Sequence, residues 1–222
     1  MIFKDSTVIK ISTTEVMGKI YYSINKEPYK LYDNYFLIKS TSNIKTFVVR
    51  GIDTSSLSVG TFYKMKHPDW EIMYYCKYNK QYSGGGDEVL IDGIQGDENW
   101  RKGFWQGYQG QDFEVIIDMG KTTEIKGINT TFLQDSRSWI ILPTKVEFSF
   151  SQDGTTFASK KEINSITPAN DNAVKVLGYA FSNANYKARY IKIKAYNFGK
   201  LPDWHQGKGG DAFIFVDEIE VK

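Results

Sequence analysis

Hydrophobic and polar residues alternate along much of this chain with the two-residue period of a β-strand. In residues 145–151, KVEFSFS, Val146, Phe148 and Phe150 oppose Glu147, Ser149 and Ser151. In residues 190–196, YIKIKAY, Ile191, Ile193 and Ala195 oppose Lys192 and Lys194. Patterns of this kind predict half-buried strands of antiparallel sheets. Further runs stand at 113–118, 125–132, 174–181 and 213–221. Together they predict a jelly-roll β-sandwich over residues 70–222. Earlier runs are shorter: 19–24, 35–39, 44–50 and 59–65. These predict a small sandwich of the fibronectin or immunoglobulin type over residues 1–68, with the joint at the HPDW of residues 67–70. Helical spacing is sustained nowhere, so the chain reads as all-β.

Composition narrows the class. Hydrophobic residues make up 41% and charged residues 24%, which suits a packed core and excludes a disordered chain. A net charge of +2, with lysines scattered rather than clustered, argues against a nucleic acid partner. No apolar run reaches bilayer length, and no apolar spike with a basic rim stands out, so no membrane partner is expected. A single cysteine, Cys76, rules out an internal disulfide and a cysteine zinc site. The opening residues MIFKD are too short and polar for a signal peptide, which leaves a cytosolic protein or a piece of a longer secreted one.

The acidic pairs Asp87-Glu88, Asp97-Glu98 and Asp217-Glu218 are each adjacent in sequence. Neighbours on a regular strand point to opposite faces, so none reads as the two carboxylates that a hydrolytic glycosidase sets across a cleft. Only two histidines are present, and no serine sits in a nucleophile elbow. The sequence therefore points to a non-catalytic protein.

Two polar loops carry rings and planar polar groups instead. LQDSRSWI offers Asp135, Arg137 and Trp139; FGKLPDWHQGKGGD offers Asp203, Trp204 and His205 beside several glycines. Aromatic faces stack on pyranose rings, while guanidinium and carboxylate groups bind hydroxyls, so these six are the candidate carbohydrate-binding residues. A third segment adds Trp100, Arg101, Trp105 and Tyr108. Structural roles stand beside these: Trp105 and Trp139 as core, Trp204 as a lock on its own loop, and His205 as a hydrogen-bonded loop histidine.

The turn SQDG at 151–154, Phe157, the strand ARYIKIKA at 188–195 and the closing DEIEV together resemble the factor V/VIII type C, or discoidin-like, domain. Asp92-Gly93, Trp105 and Asp118-Met119-Gly120 agree with that family's opening, and the resemblance covers roughly residues 71–222. It implies a galactose-binding-like jelly roll of the kind found in family 32 carbohydrate-binding modules. The first module, through KIYYSINKEPYKLY and NIKTFVVR, is similar to the small C-terminal domain of chitobiases and β-hexosaminidases, with Asn25-Lys26 where Asp-Gly is usual. The module order, with YSGGGDEVLIDGIQG and FLQDSRSWIILPTKVEF, looks like the tail of a family 20 β-N-acetylhexosaminidase. Some family 29 fucosidases carry similar tails.

This resemblance implies a non-catalytic accessory region of a secreted glycoside hydrolase. Its partners would be a terminal sugar of a glycan and the parent catalytic domain. Its location would be the periplasm, the cell surface or the exterior. A purely structural role, bracing the parent without binding sugar, is the alternative. The resemblance also implies a structural calcium ion at Asp92 and Glu218, with Asp97 nearby. Where the family pattern offers a further polar ligand, this chain has Ile94. The plainer reading is that Asp92 caps a turn and Glu218 faces solvent.

Overall fold

The computed structural model describes residues 1–182 and 185–222, and it is built almost entirely of strands. The chain divides into two compact units, Met1–Pro68 and Asp69–Lys222. Among the described residues no helix is long and apolar enough to cross a membrane.

Eight strands build the first unit: β1 (Ile2–Phe3), β2 (Thr7–Ile9), β3 (Lys19–Ile24), β4 (Lys30–Leu31), β5 (Phe36–Ile38), β6 (Ser42–Arg50), β7 (Asp53–Thr54) and β8 (Ser58–Lys64). One sheet runs β1-β8-β6-β3-β4 with β7 on β6, and a second consists of β2 and β5. Phe3, Ile9, Ile38 and Ile44 come from both sheets and form one small core. Asn25 and Lys26 turn β3 towards β4 with φ of 50° and 73°. The Glu27 amide donates to the Ile24 carbonyl across them at 2.8 Å, as in a type I′ hairpin turn. Lysine thus occupies a left-handed position that glycine usually takes.

Among the described residues nine strands build the second unit: β9 (Glu71–Tyr74), β10 (Gln106–Gln109), β11 (Phe113–Ile125), β12 (Ile128–Gln134), β13 (Lys145–Ser151), β14 (Ala158–Asn164), β15 (Lys175–Phe181), β16 (Tyr186–Tyr196) and β17 (Phe213–Val221). They form sheets of order β14-β13-β16-β11-β9 and β10-β17-β12-β15. The alternation predicted for β13 and β16 is realised, with Val146, Phe148, Ile191 and Ile193 buried. This unit is a β-sandwich of two antiparallel sheets.

One strand departs from alternation. Every residue of β12 except Asn129 is buried. The inner side, with Phe132 edge-on to Tyr179, lies in the main core. Leu133 on the other side belongs to a second cluster with Trp105, Ile140 and Phe215, on which Tyr82 and Trp100 also pack. The segment between β9 and β10 thus folds back as a collar over the outer face of the sheet. Trp105 lies flat against Gly96, where a Cβ would come within 2.6 Å of the indole. Its Nε1–H donates to the Asp97 carbonyl at 3.0 Å.

Strand register fixes where the loops emerge. Gln134 at the end of β12 pairs with Lys175 at the start of β15. Lys145 at the start of β13 pairs with Tyr196 at the end of β16. Ile140 bridges to Phe213 at the start of β17. The β12–β13, β14–β15 and β16–β17 loops therefore leave the sandwich at one end, while Ile128 pairs with Val221 at the other.

Candidate functional site

These three loops enclose an open cleft of about 380 Å³. Ser136 and Arg137 line it from the first loop, Asn170 and Asn172 from the second, and Trp204, His205 and Gln206 from the third. Arg137, Asn170, Asn172 and Gln206 are exposed, and the Trp204 ring is 50% exposed. The lip is polar and amide-rich, with one aromatic plate.

The first loop is a tight reversal. The Asp135 and Ile140 backbones exchange hydrogen bonds of 3.0 and 3.2 Å, and Trp139 closes the 3₁₀ turn 136–138 at φ 68°. The buried Asp135 carboxylate accepts from Ser138 Oγ at 2.7 Å and from Trp100 Nε1 at 3.1 Å. A buried anion needs such donors to offset lost hydration. Asp135 thereby fastens the collar to the loop that presents Arg137.

His205 is the clasp between the first and third loops. Its Nδ1 accepts from the Gly207 amide at 2.9 Å, so Nε2 carries the proton given to the Ser136 carbonyl at 2.5 Å. Gln206 adds a bond from Nε2 to the Arg137 carbonyl at 3.2 Å. Trp139 lies beneath this loop: a Cβ at Gly207 would come within 2.5 Å of its ring. The second loop is tied in by Ser136 Oγ, whose one proton is shared between the Asp171 carbonyl and Asn172 Oδ1 at 3.2 and 3.1 Å.

The six candidate sugar residues therefore divide. Arg137, Trp204 and His205 line the cleft, His205 with both ring nitrogens already bonded to the backbone. Asp135 and Trp139, expected to face a sugar, support the loops from within, because one is a buried acceptor and the other fills the space under two glycines. Asp203 is exposed, lies outside the lining, and pairs with Lys208 at 3.0 Å. Asn170, Asn172 and Gln206 were not picked out from the sequence; the only signal for the two asparagines is the polar turn composition of PANDN at 168–172.

The calcium candidates Asp92, Asp97 and Glu218 also divide. Asp92 and Glu218 are buried and converge on the loop that follows Asp92, where they are joined by the buried Asp217, which was not picked out from the sequence as a ligand. Asp92 Oδ1 accepts from the Ile94 amide at 2.7 Å and Glu218 Oε2 from the Gly93 amide at 3.0 Å, while Asp217 Oδ2 accepts from the Gly96 amide. Asp97 does not join them; it is exposed and pairs with Lys102, which draws it away from the loop's interior. The turn-capping role expected for Asp92 is present, but Glu218 is buried rather than solvent-facing.

Two adjacent strand residues reach one loop because β17 is bulged there: Ile219 pairs with Thr130 and Val216 with Phe132, leaving Asp217 and Glu218 opposite Thr131 alone. Burial raises the Asp92 carboxyl to about 6. Burial, followed by the nearby Asp92 charge, raises Asp217 to about 7. Asp92 Oδ2 and Asp217 Oδ1 are buried without a hydrogen-bond partner. Oxygen donors held this way suit a hard cation. The side chains alone form no cage, since among the described residues no three His, Cys, Asp or Glu are placed to hold a metal ion. Backbone carbonyls and water would have to complete the six to eight ligands calcium takes.

The F5/8 type C domain family matches residues 76–210 of this chain. Among curated proteins none matches. Several solved structures resemble it. A Clostridium perfringens module in complex with GalNAc-beta-1,3-galactose has a TM-score of 0.45 and 20% identity, covering 71% of this chain and 97% of that one. The C-terminal domain of a chitobiase from Bacteroides fragilis has a TM-score of 0.41 and 25% identity, covering 71% and 95%. A fucose binding module from Streptococcus pneumoniae has a TM-score of 0.43 and 13% identity, covering 68% and 89%.

Proposed function

The chain belongs to the F5/8 type C domain family, and on that premise we propose that its second unit is a non-catalytic carbohydrate-binding module of a glycoside hydrolase. The observation that carries this reading is the half-exposed Trp204 ring in an open cleft beside Arg137 and three amides. A ring face stacks on the apolar face of a pyranose, and planar polar groups take its hydroxyls. His205 and Gln206 are held on main-chain atoms and Asn172 on Ser136 before ligand arrives, which lowers the ordering cost left to binding. Capture of this kind is weak, and it serves a tethered enzyme by raising the local concentration of substrate.

The parent is read as a β-N-acetylhexosaminidase acting outside the cytoplasm, on the wording of residues 82–96 and 132–148. The first unit would then be its spacer. A calcium ion at Asp92, Asp217 and Glu218 would supply charge compensation beneath the β17 bulge and no chemistry. Among the described residues no carboxylate lines the cleft, whereas hydrolytic glycosidases set two across theirs.

Trp204→Ala tests the reading. Isothermal titration over a panel of mono- and disaccharides should show binding by the wild type and a loss of about 10- to 100-fold in the variant, the worth of one aromatic contact. The melting temperature should hold, because half of the ring is already in water. A wild-type protein that binds no sugar, with a variant that merely melts earlier, would favour the bracing role instead.

A further inference from the structure

Charge around the cleft is almost fully paired, with one exception. On the third loop Asp203 pairs with Lys208 at 3.0 Å and Asp211 with Lys200 at 2.7 Å. On the second, Asp171 pairs with Lys175 at 2.5 Å and accepts from the Ala173 amide at 3.0 Å. On the first, Asp135 is buried behind the loop with Ser138 and Trp100 as donors, and it does not line the cleft. Arg137 remains. Its guanidinium is exposed at the lip and forms no ion pair among the described residues. The other polar groups beside it are the amides of Asn170, Asn172 and Gln206, whose NH2 groups are donors, one N–H of Gln206 being already given to the Arg137 carbonyl.

A receptor for neutral sugars gains from a carboxylate that accepts two hydroxyl protons at once. Among the described residues this cleft has none in its lining, and its surplus is of donors and of one positive charge. A guanidinium pairs best with a planar or tetrahedral oxyanion through two parallel N–H···O bonds. Resting on the carbohydrate-binding reading above, we propose that the preferred ligand is an acidic sugar. Its ring would lie on Trp204 and its oxyanion would face Arg137, with the asparagines on flanking hydroxyls. The shared chemistry is a sugar oxyanion, whether the carboxylate of a uronic acid or a sulfate ester.

The test uses the full chain and matched pairs: methyl glucuronide against methyl glucoside, methyl galacturonide against methyl galactoside, and galactose 6-sulfate against galactose. Titration at low and high salt is expected to show at least one acidic member bound ten-fold or more tighter than its neutral counterpart, with the gap shrinking as salt rises. The uronide and sulfate arms identify the source of the oxyanion. Arg137→Gln should weaken acidic sugars ten-fold or more beyond its effect on their neutral counterparts, closing the gap, and leave the melting temperature unchanged, since only the backbone carbonyl of Arg137 serves the loop contact with Gln206. Arg137→Lys should retain part of the gap, as charge persists while the two-pronged geometry is lost. Equal binding of acidic and neutral sugars, or an Arg137→Gln variant that weakens both alike, overturns the acidic preference and leaves sugar binding standing. Binding of no sugar in either class, with Trp204→Ala silent, removes both readings together.

Discussion

Trp105→Ala should lower the stability of the second unit by about 3–5 kcal/mol, the range for removing a large buried aromatic. The indole is 2% exposed, lies on Gly96, and bridges Leu133 of β12 and Phe215 of β17 in the outer cluster. Its Nε1–H also ends the Asp97 carbonyl's search for a donor. Removing it uncovers the outer face of two central strands and loosens the collar, whose Trp100 holds Asp135. For a unit of this size the melting temperature should fall by roughly 6–20 °C. Sugar affinity should fall as well, because the loop bearing Arg137 loses a fixed neighbour. Thermal unfolding by tryptophan fluorescence reads the first effect and titration the second. A loss below about 1 kcal/mol would mean that the collar is dispensable, contrary to its packing.

Calcium should stabilise the second unit, and most strongly at alkaline pH. With the Asp92 carboxyl at about 6 and Asp217 at about 7, the folded chain retains protons that the unfolded chain has released. Both groups titrate near 3.8 when unfolded, so in calcium-free buffer stability should be greatest below about pH 4 and fall as pH rises towards 7 through this pair. A bound divalent ion compensates the two charges and removes that slope. At a calcium concentration 100 times its dissociation constant the gain is about 2.7 kcal/mol. Melting curves in EDTA and in millimolar calcium, at pH 5 and pH 8, test this directly. Asp217→Asn should stabilise the EDTA-treated protein at pH 8 and blunt the response to calcium. Identical melting with and without calcium at pH 8 would sink the ion assignment.

The β class and the main strands were legible because alternation is a local property: KVEFSFS and YIKIKAY expose their pattern within seven residues. Burial of β12 on both faces was not, since INTTFLQ says nothing about a distant collar folding over it. The bulge at Asp217-Glu218 was hidden for a related reason. A regular pleat sends neighbours to opposite faces, and only the pairing with Thr130 and Phe132 reveals the extra residue. At the site, Arg137 and Trp204 could be singled out as a cation and a ring on polar loops. Asn170 and Asn172 could not, because PANDN reads as an ordinary turn until strand order brings it beside the other two loops. Asp135 and Trp139 share the composition of ligand contacts but are turned inward by Ser138, Trp100, Gly207 and Gly210.

The His205 clasp has a consequence for how this receptor could change. Both imidazole nitrogens engage main-chain atoms, and the neighbouring bond from Gln206 also ends on a carbonyl. The scaffold of the mouth is thus indifferent to which side chains project from positions 137, 170 and 204, whereas Asn172 also holds its own loop through Ser136. Those three sites could be exchanged to suit a new glycan while the frame stays intact, which makes the cleft a natural starting point for a lectin of altered taste.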